Sequence, residues 1–294
     1  MTAHTFAVTA ANGNIGRPAV EALLAEGHAV RAVVRSDESA AALKALGADV
    51  AVADVSADAD ASWFTGCDGA LLITPVVEGF ARIACRLIDA AHQAGVANVV
   101  RVSIDGAFID SGSRLGVEHA EADRHLAERC SDPGQRHTSL RPSGFMQNLL
   151  GMSPMIQQGV LPAPTGEGRM PLIDARDIAA CAVAALSGRG GGTGPVDITG
   201  PEALTFGDVA ERIAAKTGRP VAHLSPPPAQ AEEGLRAMGI DGWLLDAMME
   251  NAAQVREGIG AAVRQGVETL TGRPPRSIDA FLDEHAPAFT PPPA

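Results

Sequence analysis

The chain has 294 residues, 46% hydrophobic and 20% charged, the ordinary balance of a soluble globular protein able to bury a sizeable core. Its net charge of −12 argues against a nucleic-acid surface, which needs a basic face, and no apolar run is long enough to span a membrane. Cys67, Cys85, Cys130 and Cys181 stand far apart without metal-ligand spacing, and no HxxxH or HExxH pattern joins them, so no metal and a reducing cytoplasm are expected.

The first strand follows the N-terminus so closely that no secretory leader is expected ahead of it. Phe6, Ala7 and Val8 form a short apolar run of the kind buried on both faces in a parallel strand, and it stops at Ala10, Ala11, Asn12 and Gly13. A helix pattern follows, with Ile15, Ala19, Ala22 and Leu23 on one face and Pro18 in its first turn. Gly27 and His28 close it, and Ala29 to Val34 reads as a second strand. Strand, small-residue turn, helix and strand within about thirty residues make a dinucleotide-binding unit. Gly13 lets the backbone approach a pyrophosphate, Gly16 lets the helix pack against the strand, and the helix start offers N–H groups to the anion. Ala10 stands where the first glycine of GxxGxxG is expected; alanine disfavours positive φ, so the turn is expected to be slightly altered there.

The second strand ends at Arg35, with Arg31 nearby, where NAD-binding versions carry an acid. A guanidinium pairs with a ribose 2′-phosphate and a carboxylate repels it, so NADP(H) is the expected cofactor. Asp37 and Glu38 keep NAD open as the alternative.

Ser39 to Leu46 reads as a helix, Val50 to Ala53 as a third strand ending at Asp54, and Ala70 to Ile73 as a fourth ending at Thr74 and Pro75. Phe80, Ile83, Ala84, Leu87, Ile88 and Ala91 recur at helical spacing. Val99 to Val102 is a fifth strand ending at Ser103, a polar loop runs from Asp105 to Gly116, and a helix spans Val117 to Arg129. A sixth strand near Thr138 to Leu140 ends at Pro142. This alternation predicts an α/β fold, a Rossmann-type doubly wound parallel sheet over residues 1–150, with a smaller, mostly helical C-terminal substrate lobe. Thr9, Arg35, Asp54, Thr74, Ser103 and Pro142, the strand ends, would open on the ligand crevice.

Beyond Pro142, Phe145 to Ile156 looks helical, and Pro162 and Pro164 open a loop. Asp174 to Leu186 is an apolar helix, Gly188 to Gly194 a glycine-rich turn, and Val196 to Thr199 a strand, so 174–200 returns to the sheet. Phe206 to Lys216 is a helix, a strand is open at Val221 to His223, 229–265 looks mostly helical, and Pro287 to Ala294 is expected to fray. Residues 151–173 and 201–294 are assigned to the substrate lobe.

AANGNIGRPAVEALLAEGHAVRAVVR, LLITP, VVRVSIDGA, LRPSGFMQNLL, LIDARDIA and DITGPEALTF resemble, in order, the NmrA-like branch of the atypical short-chain dehydrogenases/reductases. That branch holds NADPH-dependent reductases of quinones, triarylmethane dyes and plant phenylpropanoids, and non-catalytic redox-sensing regulators. The resemblance places the turn from Thr9 through Ala11 and Asn12 at the cofactor, with Gly13, Asn14, Ile15 and Gly16 on the pyrophosphate and Arg35 on the 2′-phosphate. It places Asp54 and Val55 beside the adenine, Thr74 and Pro75 under the nicotinamide ribose, and Ser103 and Pro142 near the nicotinamide. Phe145, Met146, Gln147 and Asn148 would face the substrate. As plain structure, Phe145 and Met146 would instead be core residues, and Gln147 and Asn148 divide evenly between the two readings.

The chain has no tyrosine, so the superfamily's Tyr-xxx-Lys acid–base pair is missing. Where it would fall stand His119 and Asp123, one helical turn apart. An aspartate there would raise the histidine's pKa and hold its ring as a proton donor, with Ser103 the third candidate catalytic residue; an exposed ion pair on a surface helix is the other reading. Trp243, Leu244, Leu245, Met248 and Met249 would cover the site or simply pack an amphipathic helix. Without the tyrosine, an electron-poor conjugated acceptor is favoured over a plain ketone. The expected function is an NADPH-dependent reductase of a small conjugated or aromatic electrophile. A non-catalytic NADP(H)-sensing regulator and a cofactor-dependent isomerase or epimerase are the alternatives. A small-molecule substrate is the expected partner, with no nucleic acid and no membrane; monomer and homodimer stay open.

Overall fold

Phe6 and Val8 face one apolar core and Ala7 the other, so β1 (Thr5–Val8) is covered on both sides, as a central parallel strand requires. The computed structural model describes residues 3–107, 112–189 and 193–291. β1 leads through α1 (Gly16–Ala25) to β2 (Ala29–Val34), α2 (Asp37–Ala45) and β3 (Asp49–Val52). The chain then crosses to β4 (Gly69–Leu72), α3 (Phe80–Gln93), β5 (Asn98–Val102), α4 (Arg114–Arg129) and β6 (Arg136–Pro142). Seven parallel strands form the sheet in the order β3-β2-β1-β4-β5-β6-β8 once β8 (Gly194–Ile198) joins its edge. The winding reverses between β1 and β4, which places the ligand crevice at the carboxyl ends of those strands.

Helices α1, α2 and α7 (Ala175–Leu186) cover one face, where Leu23, Leu43, Ile178 and Val183 meet Val8, Val34, Val100 and Leu140. Helices α3 and α4 cover the other with Leu87, Ile88 and Leu126 against Ala70, Leu72 and Val99. Alternation along β5 therefore sends Val100 and Val102 to the first face and Val99, Arg101 and Ser103 toward α3 and α4.

A third core holds Met146, Leu149, Ile156, Leu161, Val209, Ile213, Phe281 and Phe289. It joins α5 (Asn148–Gly151), α6 (Ser153–Gln157), α8 (Phe206–Thr217) and α12 (Ile278–Phe289) to a small parallel pair, β7 (Val160–Pro162) with β9 (Ala222–Leu224). Helix α9 (Pro228–Ala237) leads to α10 (Gly242–Arg256), which is clamped to the start of α4 by Arg114, ion-paired with both Asp246 and Glu250. Helix α11 (Gly266–Thr271) returns to the first core through Val267 and Leu270.

Three expectations change. Phe145 to Ile156 is not one helix: Phe145 bridges Ile173, and Pro154, which lacks an N–H donor, opens α6 as a separate helix after α5. Pro162 does not open a loop but ends a strand, Val160–Pro162. Pro287 lies inside α12 instead of starting a frayed tail, because Phe289 is buried in the third core and holds the last turn in place. Residues 190–192 of the glycine-rich turn and 108–111 of the polar loop lie outside the described residues.

Candidate active site

The turn between β1 and α1 is built from Ala10 to Gly16. Ala10 sits at φ +47°, so alanine takes the left-handed conformation that a glycine would adopt freely, contrary to the expectation that it avoids positive φ. The Gly13 N–H closes the turn on the Ala10 carbonyl at 3.0 Å. A Cβ on Gly16 would collide with that carbonyl oxygen and reach within 2.8 Å of the Ala11 Cα, so position 16 admits only glycine without movement. Helices α2, α4, α7, α8 and α12 each begin with a capping side chain, whereas α1 has none. Among the described residues nothing accepts from the N–H groups of Asn14, Ile15 and Gly16. A narrow backbone cradle with unpaired donors at a helix start fits a dinucleotide pyrophosphate. A cavity of about 340 Å³ borders it, reached by Asn12, Gly13 and Asn14 from the turn and by Gln147 and Arg176 from across the crevice.

Arg35 is exposed at the end of β2 and pairs with no group among the described residues, which leaves it available to a phosphate. Arg31 is not: it pairs with Asp49 at 2.9 Å and donates to the Thr65 carbonyl at 2.8 Å. Two predicted cofactor contacts have side chains that serve the scaffold. The Thr9 hydroxyl accepts from the Ile73 N–H at 2.7 Å and donates to its carbonyl at 2.9 Å, tying β1 to β4, and Ala11 is sealed in the first core. Asn12 donates to Ser39 at 3.1 Å. Asp54 is exposed and accepts from the Ser56 N–H, Val55 is buried in the second core, and Thr74 and Pro75 are half-buried at the end of β4.

At the end of β5 the structure gathers Arg101, Ser103, His119, Asp123 and Arg141. Arg101 is fully buried, and its Nη1 meets Asp123 Oδ1 at 2.5 Å. Ser103 Oγ and Arg141 Nε each donate to Asp123 Oδ2 at 3.0 Å. The aspartate therefore does not hold His119; Arg101 does, with Nη2 2.8 Å from His119 Nδ1. Both sequence readings of the pair fail: it is not exposed, with His119 and Asp123 7% and 8% accessible, and the histidine's pKa is not raised. Burial, then the charges of Arg101 and Arg141, hold His119 well below the ordinary histidine range, so the ring is neutral near pH 7. The sequence reasoning missed Arg101 and Arg141. The signal was an arginine set in an apolar strand, Val99-Val100-Arg101-Val102, which is buried only if paired.

Helix α4 runs antiparallel to β5, as a parallel crossover demands. Asp123 is level with Ser103 at the strand end, so His119, one turn nearer the helix start, lies about 5 Å further out toward the crevice. Its ring packs on Phe80, the first residue of α3, at 4.5 Å between centroids, and Phe80 in turn meets the edge of Trp243 at 6.2 Å. Trp243 and Val117 also line a cavity of about 440 Å³ between α4 and α10. Val76 and Val77, in the loop that opens α3, are exposed.

Of the predicted substrate residues, Met146 is buried in the third core and Gln147 caps α7, donating to Asp174 at 3.0 Å and accepting from the Ala175 N–H at 2.9 Å. Phe145 packs against the first core, and Asn148 is exposed. Asp105, just past Ser103, has its carboxyl pushed up by burial and by the nearby Asp197.

The chain is 34% identical over 284 residues to an NAD(P)H azoreductase of Xenophilus azovorans, covering 96% of this chain and 98% of that protein. It is 32% identical over 297 residues to a (4-alkanoyl-5-oxo-2,5-dihydrofuran-3-yl)methyl phosphate reductase of Streptomyces griseus, covering 97% and 99%. An NADPH-dependent quinone oxidoreductase of Escherichia coli, solved with NADPH, superposes with a TM-score of 0.82 at 26% identity, over 95% of this chain and 99% of that one. The sequence model of the NmrA-like family matches residues 2–274, and the chain belongs to that family.

Proposed function

We propose that the protein is an NADPH-dependent reductase of small conjugated electrophiles such as quinones, enones or iminium ions. Its place among NAD(P)H-dependent oxidoreductases, and NADP(H) as its cofactor, rest on relatives that share nearly its full length. The substrate class rests on the cluster at the end of β5, which holds a neutral histidine and no tyrosine. The two lysines, Lys44 and Lys216, are on α2 and α8, away from that cluster.

NADPH, when bound, supplies a hydride. The bare turn at Gly13 and Gly16 holds the pyrophosphate on backbone N–H groups, and Arg35 holds the 2′-phosphate. Val117 and Trp243 give the acceptor an apolar wall, with Phe80 packed behind Trp243. A plain ketone resists reduction unless its alkoxide is protonated as it forms, and this cluster contains no charged acid to do so. A quinone or enone spreads the new charge over its conjugated system and needs orientation more than a proton.

The test is NADPH consumption with benzoquinone, an enone, an azo dye and cyclohexanone. Turnover of conjugated acceptors with none of cyclohexanone supports the reading. Reduction of cyclohexanone at a comparable rate contradicts the substrate class. Tight NADPH binding with no turnover of any acceptor favours the regulator.

A further inference from the structure

We propose that Arg101 is a positioning residue that fixes His119 as the neutral tautomer carrying its hydrogen on Nε2, making the histidine a hydrogen-bond donor to the acceptor rather than a source of protons. The inference rests on the reductase reading for its purpose, but not for its geometry.

A guanidinium has donors and no acceptor, so the 2.8 Å contact between Arg101 Nη2 and His119 Nδ1 requires Nδ1 to be the acceptor. The ring hydrogen is then on Nε2. Arg101 cannot turn away, because it is fully buried, with Nη1 held by Asp123 at 2.5 Å and lying 3.5 Å from the His119 carbonyl. Asp123 cannot replace it as the ring's partner, because Arg101, Ser103 and Arg141 already converge on both of its oxygens.

No charge around the ring favours its protonation. Arg101 on β5 and Arg141 on β6 oppose it. From α3 the ring meets Phe80, and Cys85, whose thiol is pushed up by burial and so stays neutral, faces Arg101. On its own helix, Asp123 is neutralised by the two arginines.

Nε2 lies on the opposite edge of the ring, and among the described residues nothing accepts from it. One turn outside Ser103, it is placed to donate to an oxygen in the crevice. When a conjugated acceptor gains a hydride, negative charge appears on its oxygen, and the Nε2–H bond stabilises that charge without transferring its proton. Water then supplies the proton that completes the product. His119 starts and ends neutral, so turnover leaves it ready without reprotonation.

The experiment is nitrogen–proton NMR of histidine-labelled protein without ligands, with the His119 signals assigned by their loss in His119→Gln. The expected wild-type spectrum shows one neutral ring protonated at Nε2, unchanged between about pH 5 and pH 8. A ring protonated at Nδ1, or one titrating near about 6.5, overturns the proposal. In Arg101→Met the ring should lose its fixed tautomer and show hydrogen on Nδ1 as well as on Nε2, while Arg101→Lys, which keeps a cationic donor, should hold the hydrogen on Nε2. A ring that stays locked in Arg101→Met shows that Arg101 is not what positions it. If Arg101→Met does not fold, the wild-type and Arg101→Lys spectra decide. These spectra need neither NADPH nor acceptor, so a protein that reduces nothing still reports on His119.

Discussion

Arg101 of β5 and Asp123 of α4 meet across 2.5 Å, one fully buried and the other 8% exposed. Such a pair adds little over an apolar one, but breaking it leaves an uncompensated buried charge. Asp123→Ala should therefore destabilise the protein by about 3–5 kcal/mol in urea unfolding, since it takes the carboxylate from the fully buried Arg101. The double variant Arg101→Met, Asp123→Leu should recover most of that loss. A single variant within about 1 kcal/mol of wild type would contradict the network.

His119 makes stability depend on pH. Its folded pKa is depressed, so below about 6.5 the unfolded chain takes up a proton that the native ring refuses. The contribution is fully present above that pH. It is lost as pH falls, by up to about 1.4 kcal/mol per unit, until the folded pKa is reached. The stability gap between wild type and His119→Gln should thus shift against the wild type from pH 7 to pH 5. A gap that is flat over that range would contradict a buried neutral histidine.

The turn gives a paired prediction. Gly16→Ala places a Cβ against the Ala10 carbonyl and should abolish NADPH binding and lower the melting temperature. Ala10→Gly removes left-handed strain of about 1–2 kcal/mol while loosening the unfolded chain, so its net effect on stability should be small and NADPH affinity should hold. Equal effects of the two changes would show that the turn's shape is not what holds the cofactor.

Arg35 carries the choice between cofactors. Arg35→Ala should weaken NADPH binding by about tenfold or more and leave NADH nearly unchanged, because charged hydrogen bonds contribute about 1.5–3 kcal/mol. Fluorescence titration with both nucleotides reads this out, and equal losses would remove Arg35 from the phosphate site.

The sheet was legible in the sequence because buried parallel strands are short apolar runs and the turns between them are marked by small residues. Phe6 to Val8, Ala70 to Leu72 and Val99 to Val102 each lie where the pattern puts them. The lobe was harder to read, because Pro154 and Pro287 look alike as punctuation. One starts a helix and the other is tolerated inside one, where tertiary packing of Phe289 decides. At the site, helical spacing brought His119 and Asp123 together but gave no sign that β5 would send an arginine between them. The partner of His119 lies 18 residues away on a strand, beyond the reach of any local pattern.

The most direct test of the account is calorimetric titration of the purified protein with NADPH and with NADH. Saturable binding of NADPH, tighter than NADH by at least about tenfold, or about 1.4 kcal/mol, is the predicted result. No heat with either nucleotide, or a preference for NADH, would contradict it.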